Sequence, residues 1–131
     1  SGNDDQITSA LALGAQGVIS VLSNILPKET HEICRSYFDG DSSLSDSLQL
    51  KYLDLIEALF LDVNPIPVKQ AMRAMGYDVG RCRLPLCDMD PTNAEKLYSV
   101  LKQYGLVENV KAGSVTVRRA SGTGRVLQSN V

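Results

Sequence analysis

One six-residue run, Gly17-Val18-Ile19-Ser20-Val21-Leu22, most narrows what this chain can fold into. It is apolar, rich in β-branched side chains and bounded by Gly17 and Asn24, which is the pattern of a strand buried on both faces in a parallel sheet. No other segment up to residue 106 reads as its partner. An isolated strand cannot satisfy its own main-chain donors and acceptors, so the run implies a sheet that its neighbours do not supply.

Those neighbours read as helices. Asn3, Asp4 and Asp5 precede Ile7, Ala10, Leu11 and Leu13, a short amphipathic helix that stops at Gly14 with its acids at the favourable end. Pro27 opens a second helix, on which Thr30, Ile33, Cys34, Tyr37 and Phe38 recur at helical spacing until Asp39-Gly40. From about Ser45 to Leu61 the pattern predicts one continuous helix. Leu48, Tyr52, Leu55, Ile56 and Leu59 form its stripe, and Leu50, Leu53, Phe60 and Leu61 add apolar surface elsewhere, so it is expected to be buried between neighbours.

Asn64-Pro65-Ile66-Pro67 is a rigid elbow, because proline removes a donor and forces the preceding residue extended. A helix follows with Val68, Ala71, Met72 and Met75 on one stripe, closed by Gly76, and then an extended linker, Arg81 to Leu86. Asp90 caps a last helix that has Pro91 at its first position, with Ala94, Leu97, Tyr98, Leu101 and Tyr104 along one face before Gly105. The expected order is one helix, one buried strand and four helices.

Composition excludes several classes. With 131 residues, 44% hydrophobic, 21% charged and a net charge of -2, the chain is no collagen, coiled coil or charge-driven disordered segment. No uncharged apolar run reaches about 18 residues, and the N-terminus is acidic where a secretory signal is basic, so a soluble, cytoplasmic protein with no membrane partner is expected. Residues 1–106 hold 9 Lys and Arg against 14 Asp and Glu, while Lys111, Arg118, Arg119 and Arg125 face only Glu108 beyond them. An acidic body with four scattered basic residues behind it is not a nucleic-acid surface. Cys34, Cys82 and Cys87 lack paired metal-ligand spacing and read as free thiols, so no metal and no cofactor is expected.

Three stretches resemble the C-terminal part of the dihydrodipicolinate synthase family, which groups with N-acetylneuraminate lyase among the Schiff-base-forming (β/α)8 barrels. Ser1-Gly2-Asn3-Asp4-Asp5 resembles the end of the family's seventh strand, and Gly17-Val18-Ile19-Ser20-Val21 its eighth. Asn64-Pro65-Ile66-Pro67-Val68-Lys69, then Arg83-Leu84-Pro85-Leu86, resembles the helical extension behind the barrel and favours the synthase branch.

The resemblance implies an α/β fold: residues 1–40 as the last βα unit of a TIM barrel, 41–106 as a helical extension, and 107–131 as an unassigned, flexible or non-native tail. A whole barrel of this kind takes about 250 residues, so the chain is expected to be a fragment.

The chemistry implied by the resemblance is a lyase reaction of lysine and diaminopimelate biosynthesis. A lysine forms an imine with pyruvate, and the derived enamine adds to aspartate semialdehyde. That lysine, its tyrosine relay and the threonines for the pyruvate carboxylate precede Ser1 in the family's order. No catalytic residue is therefore expected here, and the isolated chain should be inactive.

Two substrate-binding positions carry over. Ile19 matches the residue whose main-chain carbonyl faces the pyruvate-derived group, and Gly2 a glycine close to the substrate, where a missing Cβ permits approach. Their plain alternatives are strand packing and a turn. The family also implies a homo-oligomer, a tetramer. Two further readings stand beside this one: a non-enzymatic helical self-association module, and a fragment of another pyruvate-dependent aldolase.

Other residues read plainly. Asp4 and Asp5 resemble an acid/base pair but fit helix N-terminal charge better. Lys69 matches the elbow's lysine and not the Schiff-base position, so a structural or interface role is expected; His31 reads as solvated, and Met72 and Met75 as core. Val115 and Val117 alternate like an exposed strand. Gly122-Thr123-Gly124 lacks the spacing of a phosphate loop, and Arg118-Arg119-Ala120-Ser121 is only a short basic pattern with a high chance rate.

Overall fold

A computed structural model describes residues 1–108 together with the main chain of two short paired segments, β1 (Val110–Lys111) and β2 (Ser114–Val115), which run antiparallel. Val115 therefore lies in a strand. Val117, the glycine-rich string and the arginine pair lie outside the described residues, as does most of the tail expected to be flexible.

Residues 1–108 form helices α1 (Ile7–Ala12), α2 (Pro27–Phe38), α3 (Ser42–Lys51), α4 (Leu53–Ala58), α5 (Ile66–Ala74) and α6 (Pro91–Gln103). Single 3-10 turns at Asp4–Gln6 and Leu22–Asn24 precede α1 and α2. Local chemistry accounts for most of the ends. Pro27 and Pro91 start α2 and α6, where a missing N–H is harmless, and Asp90 Oδ1 accepts the N–H groups of Thr92 and Asn93 at 2.9 and 3.2 Å. Gly105, at φ 68°, closes α6 in a conformation that residues with a Cβ avoid.

Three expectations are corrected. The first is the strand. Among residues 1–108 no segment is paired along its length, and residues 15–20 belong to no helix or strand before Val21 turns into the Leu22–Asn24 turn. Val18 and Val21 pack partly against the core, whereas Ile19 is 88% exposed. A strand buried on both faces needs sheet neighbours and a cover on each side, and the described residues cover one side only. The α/β expectation thus meets a helical body.

The second correction is the long helix, which is broken at Tyr52 into α3 and α4. Tyr52 is buried, its ring lies 5.7 Å from that of Tyr104, and the Tyr104 hydroxyl donates to the Lys51 carbonyl at the break. A side chain engaging the backbone ladder is a recognised cause of such a break. After it, Leu55, Ile56 and Leu59 face the core, while Leu50 remains 69% exposed, so the pair of helices is not buried all round.

The third is the elbow, part of which is helical. α5 already begins at Ile66, with Pro67 in its first turn, and the Asn64–Pro65 peptide is cis. Met72 and Met75 pack against the core, as expected.

The core joins α1, α2, α4, α5 and α6 through Ile7, Leu11, Leu22, Ile33, Leu55, Ile56, Leu59, Ala71, Leu97 and Leu101, and Leu48 of α3 packs against it partly buried. α2 and α3 are also tied by a buried hydrogen bond from Ser45 Oγ to the Ile33 carbonyl at 2.7 Å. Among the described residues no helix is long and apolar enough to cross a membrane.

Candidate substrate groove

The two stretches that carry the sequence-predicted site residues lie side by side. The Ser1 amino group donates to the Gly17 carbonyl at 2.8 Å, and the Ile19 N–H donates to the Ser1 carbonyl at 2.8 Å. A residue that donates to one position and accepts from the position two further on has the bonding of a parallel pair, here Ser1 beside Val18.

This pair puts Gly2 and Ile19 on one groove of about 540 Å³ with Val21, Asn64, Val68 and Lys69. The elbow thus closes the end of the extended segment. A Cβ added at Gly2 would meet nothing within 4 Å, so contacts among the described residues do not require glycine there.

Asp4 holds the segment in place. It is 1% exposed, and its Oδ2 accepts the main-chain N–H groups of Val21 and Leu22 at 2.8 and 2.9 Å. The carboxylate therefore stabilises the start of the Leu22–Asn24 turn rather than its own helix, which corrects the expectation for this residue, while Asp5 is exposed. Buried Gln49 of α3 donates to the Asp4 carbonyl at 2.7 Å. Gln49 escaped sequence reading because a lone glutamine on a helix carries no pattern that points 45 residues back along the chain.

The other candidates fall as their types suggest. Lys69 Nζ donates to the Arg81 carbonyl at 2.9 Å, tying α5 to the linker. His31 is exposed on a second, smaller groove that also touches Val18, Ser20, Thr30 and Cys34. Burial pushes the Cys34 thiol above its ordinary range, with the Ser1 ammonium acting against the rise. Cys34, Cys82 and Cys87 are all free thiols, and among the described residues no three His, Cys, Asp or Glu side chains gather where they could hold a metal.

Residues 1–104 match the model of the dihydrodipicolinate synthetase family. The chain belongs to that family. It is 55% identical over 107 residues to the 4-hydroxy-tetrahydrodipicolinate synthase of Acetivibrio thermocellus, covering 82% of this chain and 37% of that protein. The enzyme of the same name from Clostridium perfringens is 55% identical over 108 residues, with the same coverage of 82% and 37%.

Solved family structures agree. Dihydrodipicolinate synthase from Aquifex aeolicus superposes with a TM-score of 0.80 at 42% identity, covering 83% of this chain and 38% of its own. The Thermotoga maritima enzyme gives 0.78 at 44% identity, covering 82% and 36%. The chain thus spans 37% of the length of the curated relatives just named.

Proposed function

We propose that residues 1–106 are the C-terminal part of a dihydrodipicolinate-synthase-like lyase. Residues 1–40 are the last βα unit of an eight-stranded (β/α) barrel, 41–106 its helical extension, and 107–131 a tail outside both. The observation that carries this reading is the parallel Ser1–Val18 pair at the mouth of the groove shared by Gly2, Ile19 and the proline elbow. Two parallel strands joined through a helix are the repeating unit of such a barrel, and active sites lie at the C-terminal ends of its strands.

In the whole enzyme, a lysine on another strand adds its neutral amine to the keto carbon of pyruvate, and loss of water leaves an imine. Loss of a proton from the methyl group gives the enamine, which attacks the aldehyde of aspartate semialdehyde. Here Ile19 contributes its main-chain carbonyl, which no backbone donor among the described residues engages. Gly2 leaves open space beside it. The enzyme works in the cytoplasm as a homo-oligomer and needs no cofactor. The 131-residue polypeptide alone does not perform the reaction.

Two experiments test this. Borohydride treatment with pyruvate should leave no covalent adduct on any lysine of this chain by mass spectrometry; a pyruvyl-lysine would overturn the claim of inactivity. Residues 1–108 replacing the matching segment of the Acetivibrio thermocellus enzyme should yield an active synthase, and a well-folded but inactive chimera would overturn the assignment.

A further inference from the structure

The linker between α5 and α6 carries two of the three cysteines, and neither lines the groove described above. Cys82 and Cys87 bracket a tight turn. The Leu86 N–H donates to the Arg83 carbonyl at 3.1 Å, so Arg83 to Leu86 reverse the chain between the two thiols. One residue further out on each arm, Arg81 Nη1 lies 3.6 Å from Asp88 Oδ2. The arms therefore stay together on both sides of the cysteine pair.

Helix α5 fastens each arm separately. Lys69 Nζ donates to the Arg81 carbonyl at 2.9 Å, and Arg73 Nη2 lies 3.9 Å from Asp88 Oδ1. Where two arms meet across a closed turn, the residues just outside the closing bond face each other with Cα atoms about 4.5–5.5 Å apart. A disulfide spans about 4.4–6.8 Å between Cα atoms. That separation suits a bond between the sulfurs without displacement of either arm.

We propose that Cys82 and Cys87 form a reversible dithiol–disulfide pair, oxidised by a small disulfide of the glutathione type. Cys87 is exposed and attacks first, while Cys82, partly packed against the core, resolves. The Cys87 thiolate attacks one sulfur of the small disulfide, giving a mixed disulfide and expelling one small thiolate. The Cys82 thiolate then attacks Cys87 Sγ and expels the second. The two cysteine protons end on the two released thiols, so the pair loses two electrons and the small disulfide gains them. Cys34 takes no part, because it lies on α2 beside the smaller groove.

In a reducing compartment such a bond is transient and redox-sensing. It forms one residue from the Arg81 carbonyl that holds Lys69, a residue of the larger groove, so oxidation stiffens the arm on which Lys69 rests.

The test equilibrates the 131-residue chain in buffers of reduced and oxidised glutathione, alkylates the remaining thiols and counts them by mass spectrometry. One intramolecular disulfide is expected, with two of the three thiols protected and peptide mapping joining Cys82 to Cys87. Its equilibrium constant should be at least about tenfold greater in the folded chain than in concentrated urea, where the turn and its ion pair are lost. Cys82→Ser should stop at a mixed disulfide on Cys87, and Cys34→Ser should oxidise like the wild type.

A constant no greater in the folded chain than in urea would overturn the inference, as would a main product in which Cys34 is bonded. The readout needs no synthase activity, so its failure and the failure of the proposed function are distinguishable.

Discussion

Asp4 Oδ2 accepts the main-chain N–H of Leu22 at 2.9 Å, and both residues are buried. This contact, with its companion from Val21, is what presses the extended segment onto the helices. Asp4→Ala leaves two N–H groups without their acceptor and removes a charge-assisted pair of bonds. A loss of about 2–4 kcal/mol in unfolding free energy is expected, read from urea titrations by circular dichroism. Asp4→Asn, which keeps an acceptor, should lose less. A loss below about 0.5 kcal/mol for alanine would mean that packing alone holds the segment.

Asp90 offers a local contrast. Its carboxylate caps α6 on the surface, so Asp90→Ala should lower stability by only about 1 kcal/mol, and Asp90→Ser should recover most of it. Equal losses for Asp4→Ala and Asp90→Ala would contradict the difference in burial.

Thiol labelling separates Cys34 from Cys87. Burial raises the Cys34 pKa, so at pH 8 less of it is thiolate, and its side chain is also partly covered, whereas Cys87 is exposed. Mass spectrometry after a short maleimide pulse should show Cys87 modified well before Cys34. The gap should close in concentrated urea, where burial is lost.

Alkaline stability reports on Tyr104. Burial first, then the negative charge of Asp54, raises its pKa above the ordinary 10.0. The folded state then holds this proton more tightly than the unfolded chain. The stability it contributes is complete below the ordinary value and is lost as pH climbs through the folded one. Thermal midpoints followed upward from pH 9 should fall for the wild type and fall less steeply for Tyr104→Phe. The variant also loses the bond to the Lys51 carbonyl, so at pH 7 it should start slightly lower, by about 1 kcal/mol.

Much of this molecule was legible along the chain. Pro27, Asp90, Pro91, Gly76 and Gly105 mark helix ends because caps, missing donors and positive φ act within a few residues of themselves. Leu97 and Leu101 were legible as core because helical periodicity states which face is apolar, and both are fully buried. Gly2 and Ile19 were picked out by family resemblance, and the fold brings them to one groove.

The rest depends on distance in sequence. Nothing near Tyr52 announces a break, because the hydroxyl that engages Lys51 comes from Tyr104, 53 residues away. Nothing near Asp4 announces that its carboxylate serves Val21 and Leu22, or that Gln49 will reach its carbonyl. Local chemistry along the chain was enough to set where helices begin and end and which of their faces are apolar. Whether Ile19 is covered, where α3 gives way to α4, and which main chain a buried carboxylate holds depend on groups that meet through space, and so were settled only when the helices packed.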